Sequence, residues 1–251
     1  MPPLLIRPIL PVMLDEAFLA LHIYPDLEQT LYWTDRWDPA HYVALARAGF
    51  ISISHVDQDL GSLLVPELQA VYAVLDWPNL HVSRNVRKIL RSGRVEHEGI
   101  ELRVVGDVTR VLDRIVAYHQ PRTWLIPAYR DLLSRLPSEG AEAFSLQGVE
   151  LWSTARGELI AGELGYSIGR TYTSLSGFCA GDEPAWRDFG TLQLVLLAQR
   201  LERKGYAFWN LGHSSQTYKH ALGARRMARA EFLERWAEGR DRHAPADLRV
   251  D

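Results

Sequence analysis

The sequence predicts an α+β protein in which an antiparallel meander, a buried helix and a further strand follow one another. Three observations carry this. Residues 143–153 (AFSLQGVELWS), 158–169 (ELIAGELGYSIG) and 170–179 (RTYTSLSGFC) are strand-like runs, and the TARG and GR turns joining them are too short for anything but antiparallel neighbours. The run FGTLQLVLLAQRLERKG (189–205) is apolar almost all round and closes on Arg200, Arg203, Lys204 and Gly205, as a helix sunk in a core does. YAFWNL (206–211) then reads as a strand, placed parallel to the last strand of the meander because a helix intervenes.

The elements before the meander are shorter. DPAHYVALARAGF (38–50) predicts a helix opened by Asp38 and Pro39 and closed at Gly49. SHVDQDLGS (54–62) reads as a loop and AVYAVL (70–75) as a strand. A helix capped by Ser83 is expected from Val82 to Arg91. DVTRVLDRIVAYH (107–119) turns Val111, Leu112, Ile115 and Val116 to one side, and IPAYRDLLSRL (126–136) carries Pro127 in its first turn with Pro137 as its stop. The expected division is a small N-terminal α/β domain over 1–62, a main domain over 63–237 and a flexible tail over 238–251.

Composition narrows the class. The chain has 251 residues, 47% hydrophobic and 24% charged, as expected of a globular protein with a sizeable core. Its single cysteine, Cys179, leaves no internal disulfide and no thiolate zinc cluster, which points to a reducing compartment. No histidine and carboxylate cluster has ligand spacing, so no metal is expected. The start, MPPLLIRPILPVML, holds four prolines and does not read as a signal peptide. The longest clean apolar run, LQLVLLA, is far too short for a bilayer. The expectation is a cytoplasmic monomer with no membrane partner.

One stretch runs against the net charge of −3. In HVSRNVRKILRSGR (81–94) five cations fall with no acid among them. Arg84, Arg87, Lys88 and Arg91 are spaced i, i+3, i+4 and i+7, so they share one helix face, while Val86, Ile89 and Leu90 take the other. Most charged faces are simply solvated. Four like charges repel, however, and a polyanion contacted at its phosphates is their natural partner. KHALGARRMAR adds a second basic group in Lys219, Arg225, Arg226 and Arg229.

Several segments, in order, resemble the leucyl/phenylalanyl-tRNA–protein transferases. These are NLHVSRNVRKIL (79–90), RTWLIPAY (122–129), VELW (149–152) with ELIAGELGY (158–166), RTYTSLSGF (170–178) and HALGARRMARAEFLERW (220–236), with DPAHYVALARAGFI fitting the N-terminal part. The resemblance covers roughly residues 35 to 236. It implies an acetyltransferase-like (GNAT-like) fold and transfer of an amino acid from charged tRNA to a protein or peptide N-terminus. The charged tRNA would be a co-substrate and no further cofactor would be needed. Arg84, Arg87, Lys88, Arg91, Arg225 and Arg226 would then hold tRNA, and Trp124 and Tyr129 would lie near its acceptor end.

The sequence departs from the family where the chemistry lies. The family's strand glutamate is matched by Leu175, its next two positions by Ser176 and Gly177, and its later Asp-x-Gln by Asn210 and Gly212, with His213 one residue on. A pocket methionine is matched by Glu163, and a tryptophan pair by Leu63 and Leu64. Glu163, His213 and Asn210 are therefore the candidates for chemistry, and Tyr172, Ser174, Ser176 and Gly177 for contact with substrate. Alternation places Tyr172, Ser174, Ser176 and Phe178 on one strand face. Each polar candidate has a plain alternative: an arginine partner for Glu163, a turn for His213, a core place for Tyr172 and a cap for Asn210.

Three other readings are open. RDFGTL (187–192) partly matches a coenzyme A pyrophosphate loop of an acyl-CoA-dependent GNAT acyltransferase, with Leu192 where a small residue is wanted. GHSSQ (212–216) partly matches a serine hydrolase elbow, with Gln216 in the place of a glycine. A catalytically inactive relative that binds RNA or protein is the third.

Overall fold

The computed structural model describes residues 6–136, 144–245 and 247–250; Pro137, the expected helix stop, and Ala143, the expected strand start, lie outside them. The first quarter of the chain holds β1 (Arg7–Pro8), α1 (Glu16–Phe18), β2 (Tyr32–Trp33), α2 (Pro39–Arg47), β3 (Ile51–Asp57) and β4 (Gly61–Glu67). Asp38 caps α2 by accepting from the His41 amide at 2.9 Å, and Gly49 turns the chain out of it at φ 89°. The expected loop over 54–62 is instead the two ends and turn of the β3–β4 hairpin. The Asp57 carboxylate accepts from the Asp59 and Leu60 amides and so closes the turn.

The middle holds β5 (Val71–Leu75), α3 (Arg84–Arg91), α4 (Arg94–His97), β6 (Ile100–Val105), α5 (Thr109–His119) and α6 (Pro127–Ser134). The remainder holds β7 (Phe144–Ser153), β8 (Glu158–Ile168), β9 (Thr171–Cys179), α7 (Phe189–Arg203), β10 (Phe208–His213), α8 (Thr217–Ala221), β11 (Arg225–Ala228) and α9 (Arg229–Arg240). Seven strands form one mixed sheet in the order β11-β5-β10-β9-β8-β7-β6. The meander is β7, β8 and β9, and β10 lies parallel to β9 as the intervening helix requires. In this sheet two strands go beyond the sequence reading: β6 adds a fourth strand beside β7, and β11 closes the far edge against β5.

The sheet is covered on both faces. Leu192, Val195, Ala198 and Leu201 of α7 pack on one face with Val149, Leu151, Tyr172 and Trp209. Val111, Leu112 and Ile115 of α5 and Phe232 and Trp236 of α9 cover the other, with Leu146, Leu164, Tyr166 and Phe178. The 62/63 boundary falls inside β4, and Tyr42, Leu45 and Phe50 share an apolar cluster with Phe144 and Tyr166. At the other end, residues 238–240 complete α9 and Leu248 is buried against the α7 face.

The α3 helix sits outside α7. Ser83 caps it from the Val86 amide at 3.3 Å, and Val86 and Ile89 are buried in the α7 cluster. Burial of two such side chains contributes about 1.5–3 kcal/mol each. That anchorage leaves Arg84, Arg87, Lys88 and Arg91 exposed around a shallow surface depression completed by Ser92.

Candidate functional site

The pairing of β9 with β10 stops at Thr173 and Asn210. Beyond it the two parallel strands part, and a cleft of about 490 Å³ opens between the second half of β9 and the segment after β10. Crevices beyond the carboxyl ends of parallel strands are the usual ligand sites of such sheets. A bulge shapes this one. Gly165 pairs with Ser174 and Leu164 with Ser176, so Leu175 is an extra residue. The extra residue reverses the alternation. Tyr172, Ser174 and Gly177 share the α7 face with Glu163, and Ser176 and Phe178 turn to the α5 face, contrary to the single face expected from the sequence.

Glu163 lies at the floor of the cleft and is 3% exposed. Tyr172 Oη and Ser174 Oγ both donate to its Oε1, at 3.0 and 2.9 Å, and Trp209 Nε1 in turn donates to Ser174 Oγ at 2.8 Å. Burial pushes the carboxyl up to about 7, against the pull of Ser174, Tyr172, Gln193 and the positive Lys219. Gln193 also lines the cleft, and its buried Nε2 closes no hydrogen bond among the described residues. Glu163 has no arginine partner among the described residues. Leu175 faces the cleft without a charge, and the carboxylate of this site comes from the neighbouring strand.

The Tyr172 ring fits because residue 165 is a glycine. A Cβ there would collide with Tyr172 Oη and stand 2.8 Å from the Thr173 carbonyl oxygen. The expected result of Gly165→Ala is a loss of about 1–3 kcal/mol in urea unfolding, with Tyr172 displaced from Glu163.

The other candidates divide. Trp124, Ser174, Ser176 and Gly177 line the cleft. Tyr129 does not. It is fully buried, donates to the Ser52 carbonyl at 2.7 Å and supports Trp124 with ring centroids 5.4 Å apart. Asn210 is spent structurally, since its Nδ2 donates to Thr173 Oγ1 at 3.3 Å and its Oδ1 accepts from the Gly212 amide at 2.9 Å. His213 is exposed, outside the cleft lining, with Nδ1 3.0 Å from Ser215 Oγ. Leu63 and Leu64 are buried in β4.

The two basic groups also part company. No carboxylate among the described residues pairs with Arg84, Arg87, Lys88 or Arg91, and the stripe faces outward. The fifth cation, Arg94, donates to the Ala185 carbonyl and lies over the Phe189 ring. The stripe begins beside the cleft: Asn85 Nδ2 donates to Asp188 Oδ2 at 3.1 Å, just before Gly190 and Thr191, which line it. The second group is held by the rest of the fold. Arg225 is paired with Asp76 and Glu231 at 3.2 and 2.9 Å. Arg229 is 1% exposed and donates to backbone carbonyls including those of Asp26 and Leu68. Arg226 alone stands exposed, on the edge strand β11.

His119 and Lys219 are among the cleft residues that the sequence does not single out for a site, although Lys219 belongs to the second basic group. His119, at the end of α5, places Nε2 3.1 Å from the Gly177 carbonyl oxygen and 3.4 Å from Ser176 Oγ. Lys219 is 5% exposed and lines the cleft, and burial pulls its ammonium down to about 8 against the pull of Glu163 and Glu67. No local pattern places either residue in the cleft; their position there depends on how the sheet opens.

The geometry does not suit the competing motifs. Leu192 is fully buried, and the open side of Gly190 is filled by Cys179, whose Cβ would stand 3.0 Å from an added Cβ. The third position of that motif in RDFGTL is therefore a core residue and its glycine is packed on Cys179. Both ring nitrogens of His220 face carbonyl oxygens, those of Ala224 and Ser214, at 2.9 and 2.8 Å, so it is no base for Ser214.

Comparison with known proteins agrees with the segments that first suggested a family. The family described as leucyl/phenylalanyl-tRNA protein transferase matches residues 74–237. The leucyl/phenylalanyl-tRNA–protein transferase of Azotobacter vinelandii is 27% identical over 226 residues, 84% of this chain and 88% of that protein. The protein of the same name from Pseudomonas putida is 29% identical over 179 residues, 69% of this chain and 70% of that protein. Among solved structures, a DUF2156 C-terminal domain from Agrobacterium fabrum overlaps 76% of this chain and 63% of its own at 17% identity and a TM-score of 0.40. The chain belongs to the leucyl/phenylalanyl-tRNA protein transferase family, a family of aminoacyltransferases.

Proposed function

We propose that this protein is an aminoacyl-tRNA-dependent aminoacyltransferase on a GNAT-like sheet, acting as a cytoplasmic monomer, with an amino-acid pocket altered from that of its relatives. Its acceptor is the amine of a protein or peptide N-terminus, and the charged tRNA is its co-substrate. The observation that carries this is Glu163, a buried carboxyl balanced near neutral pH at the floor of a cleft that opens beside a helix whose cations meet no carboxylate among the described residues. Among the described residues no helix is long and apolar enough to cross a membrane.

The chemistry follows from what the reaction needs. The acceptor nitrogen attacks the ester carbonyl, a C–N bond forms, and the carbonyl π pair moves onto oxygen. A carboxylate with a pKa close to the working pH is suited to take the proton that the nitrogen must lose. The tetrahedral species then collapses, the C–O bond to the ribose breaks, and the departing oxygen receives that proton from Glu163. Holding ester and amine together supplies much of the rate, which lets one carboxylate suffice. Trp124 and Leu175 offer the apolar wall, and Arg84, Arg87, Lys88 and Arg91 grip the tRNA backbone outside.

The test is a mixed pool of radiolabelled aminoacyl-tRNAs, with and without an acceptor peptide. The expected result is that one ester, or one chemically related set, disappears only when the peptide is present. Loss without peptide would mean hydrolysis, and no loss at all would leave a binding protein.

A further inference from the structure

We propose that Lys219 is a second catalytic residue, whose ammonium faces the reacting ester and stabilises the negative charge that develops on its carbonyl oxygen. The inference rests on the transferase reading above and assigns to this residue a role that the Glu163 step leaves unfilled.

Lys219 is held where few lysines are found. It is 5% exposed on the short α8 and lines the cleft with Glu163 and Gln193. One of its three N–H donors reaches the His213 carbonyl oxygen at 2.9 Å, and no carboxylate among the described residues comes within ion-pair distance of it. The Tyr218 ring lies 5.8 Å from Nζ. A desolvated ammonium with spare donors is costly, and such groups concentrate where charge must be met during a reaction. The charged groups acting on it are Glu163 and Glu67, and Glu67 also feels His213. Both acids favour the protonated lysine, yet burial leaves it able to lose that proton at mildly alkaline pH.

The division of labour is chemically consistent. The acid takes the proton of the attacking amine, and the base keeps its own proton and supplies positive charge. When the carbonyl π pair moves onto oxygen, the anion forms against a fixed cation in a site poor in water, where such a donor typically gives about 10²–10³-fold in rate. When the C–O bond breaks, the pair returns to the carbonyl and the ammonium is unchanged.

The test uses the full chain with charged tRNA and an acceptor peptide. Lys219→Met should lower kcat about 10²–10³-fold while KM for aminoacyl-tRNA and its Kd stay within about threefold. The wild type should lose activity as pH rises past about 8, and in Lys219→Arg, which keeps its proton, the surviving activity should lose that alkaline limb. The inference is overturned by a Met variant within threefold of wild type in kcat, or by an effect confined to KM. It is equally overturned by an alkaline limb that persists in Lys219→Arg. Should either variant fail to fold, the other and the wild-type limb still decide. A wild type that transfers nothing would sink the transferase reading itself, whereas transfer indifferent to Lys219 would sink this inference alone.

Discussion

Glu163→Gln is expected to abolish transfer and, above neutral pH, to make the fold more stable. The amide keeps the shape and can still accept from Tyr172 and Ser174, but it cannot take a proton, so kcat should fall by about 10²–10⁴-fold, the usual worth of a general base. The stability effect follows from linkage. Folding raises this carboxyl from its ordinary 4.5 to about 7, because burial disfavours the charged form. The unfolded chain therefore gives up the proton first. The stability that goes with the neutral carboxyl is full below 4.5 and is lost as pH rises through about 7. At pH 8 the wild type bears the whole cost of a buried charge and the glutamine variant bears none. One pKa unit is worth about 1.4 kcal/mol, so a gain of about 1–3 kcal/mol is expected in urea melts at pH 8, shrinking to nothing at pH 4. A variant that loses both activity and stability at pH 8 would make Glu163 a structural acid.

Reversing Arg87 and Lys88 to glutamate should weaken tRNA binding by about 10–100-fold at 0.1 M salt. It should also lower the slope of log affinity against log salt by about two, one for each phosphate that is no longer neutralised. Both residues are exposed on the outer face of α3, away from Val86 and Ile89, so the melting temperature should not change. Arg225→Glu gives the contrast. It breaks pairs with Asp76 and Glu231, so its effect should fall on stability and leave the salt slope alone. A double variant that binds tRNA as tightly as the wild type would leave the stripe a solvated surface.

The two basic groups show what can be read from a sequence and what cannot. The stripe is legible because its spacing and its anchors lie within one helix: spacing alone sends Arg84, Arg87, Lys88 and Arg91 one way and Val86 and Ile89 the other. The second group is not, because most of its partners, Glu231 apart, are far away in sequence. Asp76, one residue past the neighbouring strand β5, meets Arg225 and Arg235, and Arg229 is met by the carbonyls of Ile23, Tyr24 and Asp26. The same rule sorts the fold. The meander and the parallel β10 follow from turn lengths and one helix, which are local. The strand β11, made of Arg225, Arg226, Met227 and Ala228, carries no strand pattern of its own and exists because β5 offers an edge. Glu163 is legible as a charge in an apolar strand, whereas the bulge at Leu175, which moves Ser176 to the other face, leaves no mark in TSLSGF.

The most direct measurement is the mass of an acceptor peptide after incubation with charged tRNA. If the cleft between β9 and β10 is a transfer site, the peptide gains the mass of one amino-acid residue at its N-terminus with the wild-type protein and stays unchanged with Glu163→Gln. A peptide that never gains mass across all aminoacyl-tRNAs, or one that gains it equally with the glutamine variant, contradicts a transfer site built on Glu163.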